Sequence, residues 1–244
     1  MGLVTPDGYL LQLRSATAGL LGAIAGLSDD DVRAPSPLPG WTRGHVLTHL
    51  ARNAEGGTRL LQWARTGVPG YEYESLAARA AAIEQGAGRP AAALVTDVRS
   101  SADGFSAAAD GMPAQAWQRT VRWTTGHEAD AALIVPMRLG EVLIHHVDLD
   151  IGYRPQHWPA VFVSDYLDRA VTALRGHAEW PEAVRMEATD TGRVHEAGDV
   201  TSAYSVIAGP EYALLAWLLG RSDGSELARE GNRRLPEVPP LYAA

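Results

Sequence analysis

The N-terminal part of the chain places apolar residues at the spacing of an α-helix. Leucine and isoleucine recur in this way over Leu10–Leu27, and Thr5 followed by Pro6 is typical of a helix start. After a proline-rich connector, the spacing predicts a second helix over about Arg43–Trp63, with Thr42 as its cap. The chain is therefore expected to begin with two long helices.

Two further helical regions follow. The stretch Ser75–Asp110 has helical spacing, and glycine and proline interrupt it at 86–90. Trp117–Trp123 is compatible with a short hairpin. Asp130–Asp150 is apolar on most sides and predicts a buried fourth helix, which Pro136 either kinks or starts. Four main helices in this order predict an antiparallel four-helix bundle.

After Gly152 short strand candidates replace the long helical runs. The predicted elements are a helix over Pro159–Glu179, strands over Val184–Ala188, Arg193–Glu196 and Ala203–Ile207, and a last helix from Pro210 to about Leu219. A proline-rich, extended tail closes the chain. We therefore expect the fold class α+β, with a helical bundle domain over 1–152 and a smaller α+β domain over 153–244.

Composition narrows the classes of function. The chain has 244 residues and a formal net charge of −8, so it lacks the basic field of a nucleic-acid-binding protein, and no such partner is expected. The absence of cysteine excludes disulfides, thiolate metal ligands and a cysteine nucleophile, and the absence of lysine excludes a lysine Schiff base. With no secretory signal and no run of about 18 apolar residues, we expect a cytoplasmic protein without a membrane partner.

The candidate chemistry lies in two helices that each carry a pair of residues four positions apart. The second helix contains HVLTHLARN, with His45 and His49, and the fourth contains GEVLIHHVDLD, with Glu141 and His145. Residues four apart share a helix face, and facing bundle helices can hold a metal through such side chains. Two neutral imidazoles and one carboxylate match a catalytic zinc site with an open position.

The alternative is that these residues are structural. His49 and His145 would then be core histidines with backbone partners, and Glu141 would face water. A carboxylate buried without a partner in an apolar helix is costly, which favours the metal interpretation.

Three motifs together resemble the mycothiol-dependent maleylpyruvate isomerases, which belong to a superfamily of DinB-like metal-binding four-helix bundles. The motifs are GWTRGHVLTHLARNAEGGTRLLQWARTG, VPMRLGEVLIHHVDLDIGY, and GRSDG followed by EVPP, and they cover nearly the whole chain in that order. The resemblance implies a divalent metal, usually zinc, bound by His49, Glu141 and His145, and mycothiol as a cofactor. His146 then faces elsewhere, because adjacent helical residues point about 100° apart.

Residues near the implied ligands keep more than one interpretation. His45 either approaches the substrate or packs structurally, and packing is favoured. Asn53 either lines the site or orients a ligand, or it has neither role. Asp148 is either an acceptor behind the helix-four histidine or a helix-end or surface residue. The family motif often has an arginine before the ligand glutamate. Here Gly140 takes that place, and Arg138 is expected to pair structurally.

Arg221, in LLGRSDG, resembles the family arginine that reaches from the second domain toward the active-site cleft. A guanidinium group can hold a substrate carboxylate with two hydrogen bonds. The alternative is an arginine that caps the last helix. The resemblance favours the first interpretation, so Arg221 is the predicted catalytic residue.

The resemblance implies a cis–trans isomerase whose small-molecule substrate is maleylpyruvate and whose product is fumarylpyruvate. The thiolate of mycothiol, a low-molecular-weight thiol, would add to the conjugated double bond, allow rotation and then leave. The metal would either lower the pKa of the thiol or polarise the substrate carbonyl. Two alternatives stay open: a mycothiol S-transferase that acts on another electrophile, and a non-catalytic protein stabilised by its metal.

Overall fold

The computed structural model describes residues 6–177, 180, 183–201, 204–229 and 234–241. Three predicted positions lie outside the described residues: the helix cap Thr5, the helix end Glu179 and the strand start Ala203. The chain divides into two units, Met1–Gly152 and Tyr153–Ala244.

Helices dominate the N-terminal unit. In its described part the α-helices are α1 (Pro6–Ile24), α2 (Asp29–Arg33), α3 (Arg43–Thr66), α4 (Leu76–Ala87), α5 (Ala91–Asp110) and α6 (Ile134–Asp148). The long helices α1, α3, α5 and α6 pack against one another, and α4 packs on α3. The predicted four-helix bundle is confirmed, and the interrupted third region is the pair α4 and α5.

The fourth bundle helix begins later than the predicted Asp130. Thr120–Arg122 (β1) pairs antiparallel with Glu128–Asp130 (β2), which confirms a hairpin in this region. A 3-10 turn over Ala131–Leu133 then leads into α6. Pro136 lies in the first turn of α6, where backbone N–H groups have no partner within the helix, so its missing donor costs little. The proline therefore belongs to the helix start and does not kink the helix.

The sequence pattern does not predict α2, which occupies part of the connector between α1 and α3. The Ser28 hydroxyl accepts a hydrogen bond from the Asp31 backbone N–H at 3.2 Å, and Asp31 Oδ2 accepts from the Ser28 backbone N–H at 2.8 Å. This reciprocal capping box satisfies donors that so short a helix cannot pair internally. A helix of five residues is too short to show a periodic pattern of apolar positions. The capping motif is therefore the feature of the sequence that indicates α2.

Helix α3 is central to the bundle because it packs on α4, α5 and α6. It begins after its cap, Thr42, and ends at Gly67, whose φ of 79° lies in the left-handed region that favours glycine. In its second half, a Cβ at Gly57 would lie 2.7 Å from the ring of Phe105. The glycine therefore permits the close approach of α3 and α5.

The C-terminal unit combines helices with a four-stranded sheet. Its described elements are α7 (Ala160–Arg175), β3 (Val184–Ala188), β4 (Val194–Ala197), β5 (Ser205–Gly209), α8 (Glu211–Leu218) and β6 (Ala228–Arg229). The strand order is β4-β3-β5-β6, with β3 and β5 parallel and the other pairs antiparallel. The predicted fold class, α+β, is confirmed. The sequence pattern does not predict the two-residue strand β6. Helix α7 ends at Arg175, before the predicted end of this helix. None of the described helices in either unit is long and apolar enough to span a membrane.

Candidate functional site

Three side chains of the N-terminal unit meet at one point: His49 from α3, and Glu141 and His145 from α6. His49 Nε2 lies 2.7 Å from Glu141 Oε2 and 3.0 Å from His145 Nε2. His145 Nε2 lies 3.4 Å from Glu141 Oε2. The four-residue spacing aligns the two residues of α6 on one face, and the packing of α3 on α6 brings His49 to that face. These three residues are called the trio below.

The trio has the chemistry of a metal-ligand set. A zinc ion with ligand distances of about 2.0–2.2 Å places tetrahedral ligand atoms roughly 3.4 Å apart, which matches the separation of His145 and Glu141 and is longer than the two separations that involve His49. All three atoms can offer lone pairs, so a proton or a cation is needed to hold them this close. His49 is 2% exposed but Glu141 is 31% exposed, so solvent reaches the carboxylate. Among the described residues no other group of histidines and acidic residues has this geometry.

The protonation states of His49 and Glu141 suit cation binding. Burial, together with the positive charges of His145 and Arg79, lowers the pKa of His49 to about 4. Burial alone would raise the pKa of Glu141, but the two imidazoles hold it well below its usual value. Burial opposes a charged His145, yet its hydrogen bonds to Asp148 and Glu141 raise its pKa. At neutral pH His49 is therefore uncharged and Glu141 is a carboxylate.

Asp148 supports the trio from behind. Its Oδ2 lies 2.8 Å from Nδ1 of His145, and the residue is 1% exposed. Because a carboxylate accepts, Nδ1 of His145 donates to Asp148, and in the neutral ring, which is the form that binds a metal, the Nε2 lone pair faces the other two members of the trio. Of the interpretations open to Asp148, this contact supports the acceptor.

The other two histidines of the motifs lie outside the trio. His45 Nδ1 accepts a hydrogen bond from the Thr42 backbone N–H at 3.1 Å, and its Nε2 lies 3.4 Å from Glu84 Oε2. His45 therefore caps α3 and packs against α4, in line with its structural interpretation. His146 is buried and, as the neighbour of His145 on a helix, points to a different face.

An arginine–asparagine pair joins α3 to α6 one turn from the trio. Arg138 Nη1 donates to Asn53 Oδ1 at 2.7 Å, and burial lowers the pKa of Arg138 to about 10. Arg138 is therefore charged at neutral pH. Its contact matches the structural pairing expected for it, and it gives Asn53 a partner within the bundle.

Three residues of this region lie after α3 and match no sequence motif: Glu72, Tyr73 and Arg79. Arg79, in α4, donates through Nη2 to His49 Nδ1 at 3.2 Å. The guanidinium carbon of Arg79 lies 5.9 Å from the centre of the Tyr73 ring. Burial raises the pKa of both Tyr73 and Glu72. Arg79 follows its partner by 30 residues in an alanine-rich helix, so only the packing of α4 on α3 reveals the contact.

Arg221, the predicted catalytic residue, belongs to the C-terminal unit and follows α8. Its Nη1 donates to the backbone oxygen of Leu219 at 2.7 Å. This is a contact that the helix-cap alternative expects. A role toward the substrate stays a prediction.

Comparisons with known proteins cover nearly the whole chain. Residues 13–150 match the family model of the mycothiol maleylpyruvate isomerase N-terminal domain, and residues 157–237 match that of the MDMPI C-terminal domain. A crystal structure of the mycothiol-dependent maleylpyruvate isomerase is similar at a TM-score of 0.91 and 23% identity. A histidine-to-alanine mutant of it is similar at 0.90 and 22%. In both cases 97% of each chain is covered. Curated proteins give no significant match.

Proposed function

The chain belongs to the mycothiol maleylpyruvate isomerase family, and from this we propose that it is an enzyme that converts maleylpyruvate to fumarylpyruvate. The proposed cofactors are mycothiol and one divalent metal, and the proposed reaction is a cis–trans isomerisation. The observation that carries the proposal is the meeting of His49, Glu141 and His145 in the unit that matches the N-terminal family model.

We assign the trio as the metal ligands and zinc as the metal. Two imidazoles and one carboxylate form a ligand set that leaves a coordination position for a further group. The carboxylate of Glu141 is charged and partly exposed, so it offers a cation an entry to the trio. Asp148 keeps the ring of His145 in the orientation that directs Nε2 to the other two ligands.

The metal, when bound, would act as a Lewis acid that lowers the pKa of a thiol or polarises a carbonyl. Mycothiol would supply the thiolate that a chain without cysteine cannot provide. The side chains of this chain then have to hold an anionic substrate in one orientation. Arg138, charged and buried one turn from the trio, favours negative charge in this region.

We further propose that Arg221 binds a carboxylate of the substrate. The proposal is supported by the match of its motif, LLGRSDG, to the family and by the five N–H donors of a guanidinium group. One of these donors is used by Leu219. A guanidinium group can make a two-point contact with a carboxylate.

The direct test is to incubate the zinc-loaded protein with maleylpyruvate, with and without mycothiol, and to identify the products by NMR. We expect fumarylpyruvate to form only when mycothiol is present, and the thiol to be recovered unchanged. The metal-free protein serves as the control and should not turn over.

Other outcomes would replace the proposal. A stable conjugate of mycothiol and the substrate would make the protein an S-transferase. Binding of maleylpyruvate without any product would make it a binding protein. Isomerisation that proceeds equally well without mycothiol would contradict the proposed role of the thiol.

A further inference from the structure

We propose that Arg79 and Tyr73 form a carboxylate-binding pair beside the trio, and that this pair holds one carboxylate of the substrate. The inference rests on the proposed function for the identity of that substrate. The pair itself is inferred from the donors that these two side chains leave unused. Both residues belong to the N-terminal unit, on α4 and on the segment that precedes it.

The guanidinium group of Arg79 provides the positive charge of the pair. Its one described side-chain hydrogen bond runs from Nη2 to His49 Nδ1, at 3.2 Å. Among the residues that the structure describes, no carboxylate forms an ion pair with it. A guanidinium carries five N–H groups, so most of its donors remain available next to the trio. A partly buried guanidinium in this state favours an anionic ligand.

The Tyr73 hydroxyl is a second unused donor in the same place. It is buried, and in the described part of the chain no group accepts a hydrogen bond from it, while Arg79 lies close enough to donate to its oxygen. Arg79 lies near enough to act on the pKa of Tyr73, which it lowers against the larger effect of burial. The tip of the ring lies against α3, where a Cβ at Gly56 would be 3.6 Å from Tyr73 Cζ. A buried hydroxyl without an acceptor is unfavourable, so an acceptor supplied by a ligand would remove this cost.

The contact between Arg79 and His49 depends on the tautomer of the histidine. Nδ1 can accept from Arg79 only while Nε2 carries the ring proton. A metal bound at Nε2 requires the lone pair of that nitrogen, and the proton then resides on Nδ1. Arg79 would lose its acceptor at that point. The guanidinium is therefore free to hold an anion in the state of the protein that is loaded with metal.

The carboxylates nearby do not already serve as that anion. Glu141 is engaged by both imidazoles of the trio. Glu72 is half-buried and accepts from the Thr124 backbone N–H at 3.3 Å; burial raises its pKa, and Arg79 acts on it only as a nearby charge, without an ion-pair contact. The carboxylate that the pair accepts therefore has to come from a ligand. Maleylpyruvate carries two carboxylates, and this pair would account for one of them.

The test measures the binding of maleate, a stable cis-dicarboxylate, to zinc-loaded protein by isothermal titration calorimetry. Arg79→Gln should raise the dissociation constant by about 10- to 100-fold, because a charge-assisted contact is lost. Arg79→Lys should recover part of the affinity, because it keeps the charge but not the fork. Tyr73→Phe should weaken binding by about 3- to 10-fold. Arg99→Gln, which removes an exposed arginine from α5, is the matched control and should bind like wild type.

Metal content and circular dichroism are measured on every variant, and both should stay at the wild-type level. The pair is overturned if wild type does not bind maleate, or if Arg79→Gln binds it as wild type does. It is also overturned if Arg79→Gln loses zinc while its loaded fraction keeps wild-type affinity, because Arg79 would then serve only His49.

Turnover of maleylpyruvate, assayed in parallel, separates this inference from the proposed function. Loss of maleate binding in Arg79→Gln without isomerisation by wild type would support the pair and refute the isomerase. Isomerisation by wild type with unchanged KM and maleate affinity in Arg79→Gln would support the isomerase and refute the pair.

Discussion

Each unit contains a cluster of carboxylate and arginine side chains, and the two clusters differ in how completely their groups are paired. In the N-terminal unit, the trio brings three potential lone-pair donors within 3.4 Å of one another. Beside it, Arg79 has no carboxylate partner among the described residues. A bound cation would pair with the trio, and a bound anion would pair with Arg79.

In the C-terminal unit each charged group of the cluster has a partner of opposite charge. Arg193 Nη2 donates to both carboxylate oxygens of Asp168 at 2.7 Å each, and Arg193 Nη1 donates to Glu211 Oε1 at 3.1 Å. Glu211 also accepts from the Thr191 hydroxyl at 3.0 Å. Its side chain is only 5% exposed. One guanidinium thus links α7 and α8 through two carboxylates, which is a structural role.

The difference shows that residue composition alone does not identify a functional cluster. Charged groups that pair with one another within the chain have a structural role, whereas groups that stay unpaired without a ligand indicate binding or catalysis. Substitutions in the trio or at Arg79 should therefore weaken ligand binding. Substitutions in the Arg193 cluster should instead lower the free energy of unfolding.

The largest effect is expected from His49→Ala. Removal of one of three metal ligands should abolish zinc binding and reduce the rate of isomerisation by about 1000-fold or more, because the Lewis acid is lost. Metal content is measured by atomic emission and the rate by product formation. His146→Ala is the control, since it lies in the same motif but outside the trio, and it should keep its zinc. Full zinc occupancy in His49→Ala would refute the assignment of the trio.

Arg221→Ala tests whether the C-terminal unit also takes part in the chemistry. Loss of a charge-assisted contact to a carboxylate should cost roughly 2–4 kcal/mol of transition-state binding, or about 30- to 1000-fold in kcat/KM. Zinc content should not change, and Arg221→Lys should recover part of the rate. Wild-type kinetics in Arg221→Ala would leave Arg221 as a helix cap.

Arg193→Met should destabilise the protein without affecting its metal. The change leaves Glu211 buried and Asp168 without their cation, so the free energy of unfolding should fall by about 2–4 kcal/mol. Urea denaturation followed by circular dichroism measures this loss. Addition of Glu211→Gln should restore part of it, because the buried charge is then removed as well. A large decrease in zinc affinity of the folded variant would contradict the structural interpretation of this cluster.

The smallest effect is expected from Asp148→Asn. The amide cannot accept from His145 Nδ1 as strongly as the carboxylate does, so zinc affinity should fall by about 10- to 100-fold. Competition with a chromogenic chelator measures the change. Asp150→Asn, two residues further along, is the matched control. Equal zinc affinity in wild type and Asp148→Asn would make Asp148 a structural residue only.

The sequence by itself determined the long helices, the fold class and the trio. Within one helix, geometry follows from the period of 3.6 residues, so Glu141 and His145 had to share a face whatever surrounded them. The resemblance to a family then connected that face with His49 on another helix. The same rule separated His145 from its neighbour His146.

Tertiary structure alone decided which polar groups have hydrogen-bonding or ion-pair partners elsewhere in the chain. The contact of Arg79 with His49 and the proximity of Tyr73 arise from the packing of α4 on α3. The pairing of Arg138 with Asn53 likewise depends on how α3 lies against α6. Such contacts join residues that are distant in sequence, and their geometry results from many small packing energies across the core, which no local pattern encodes.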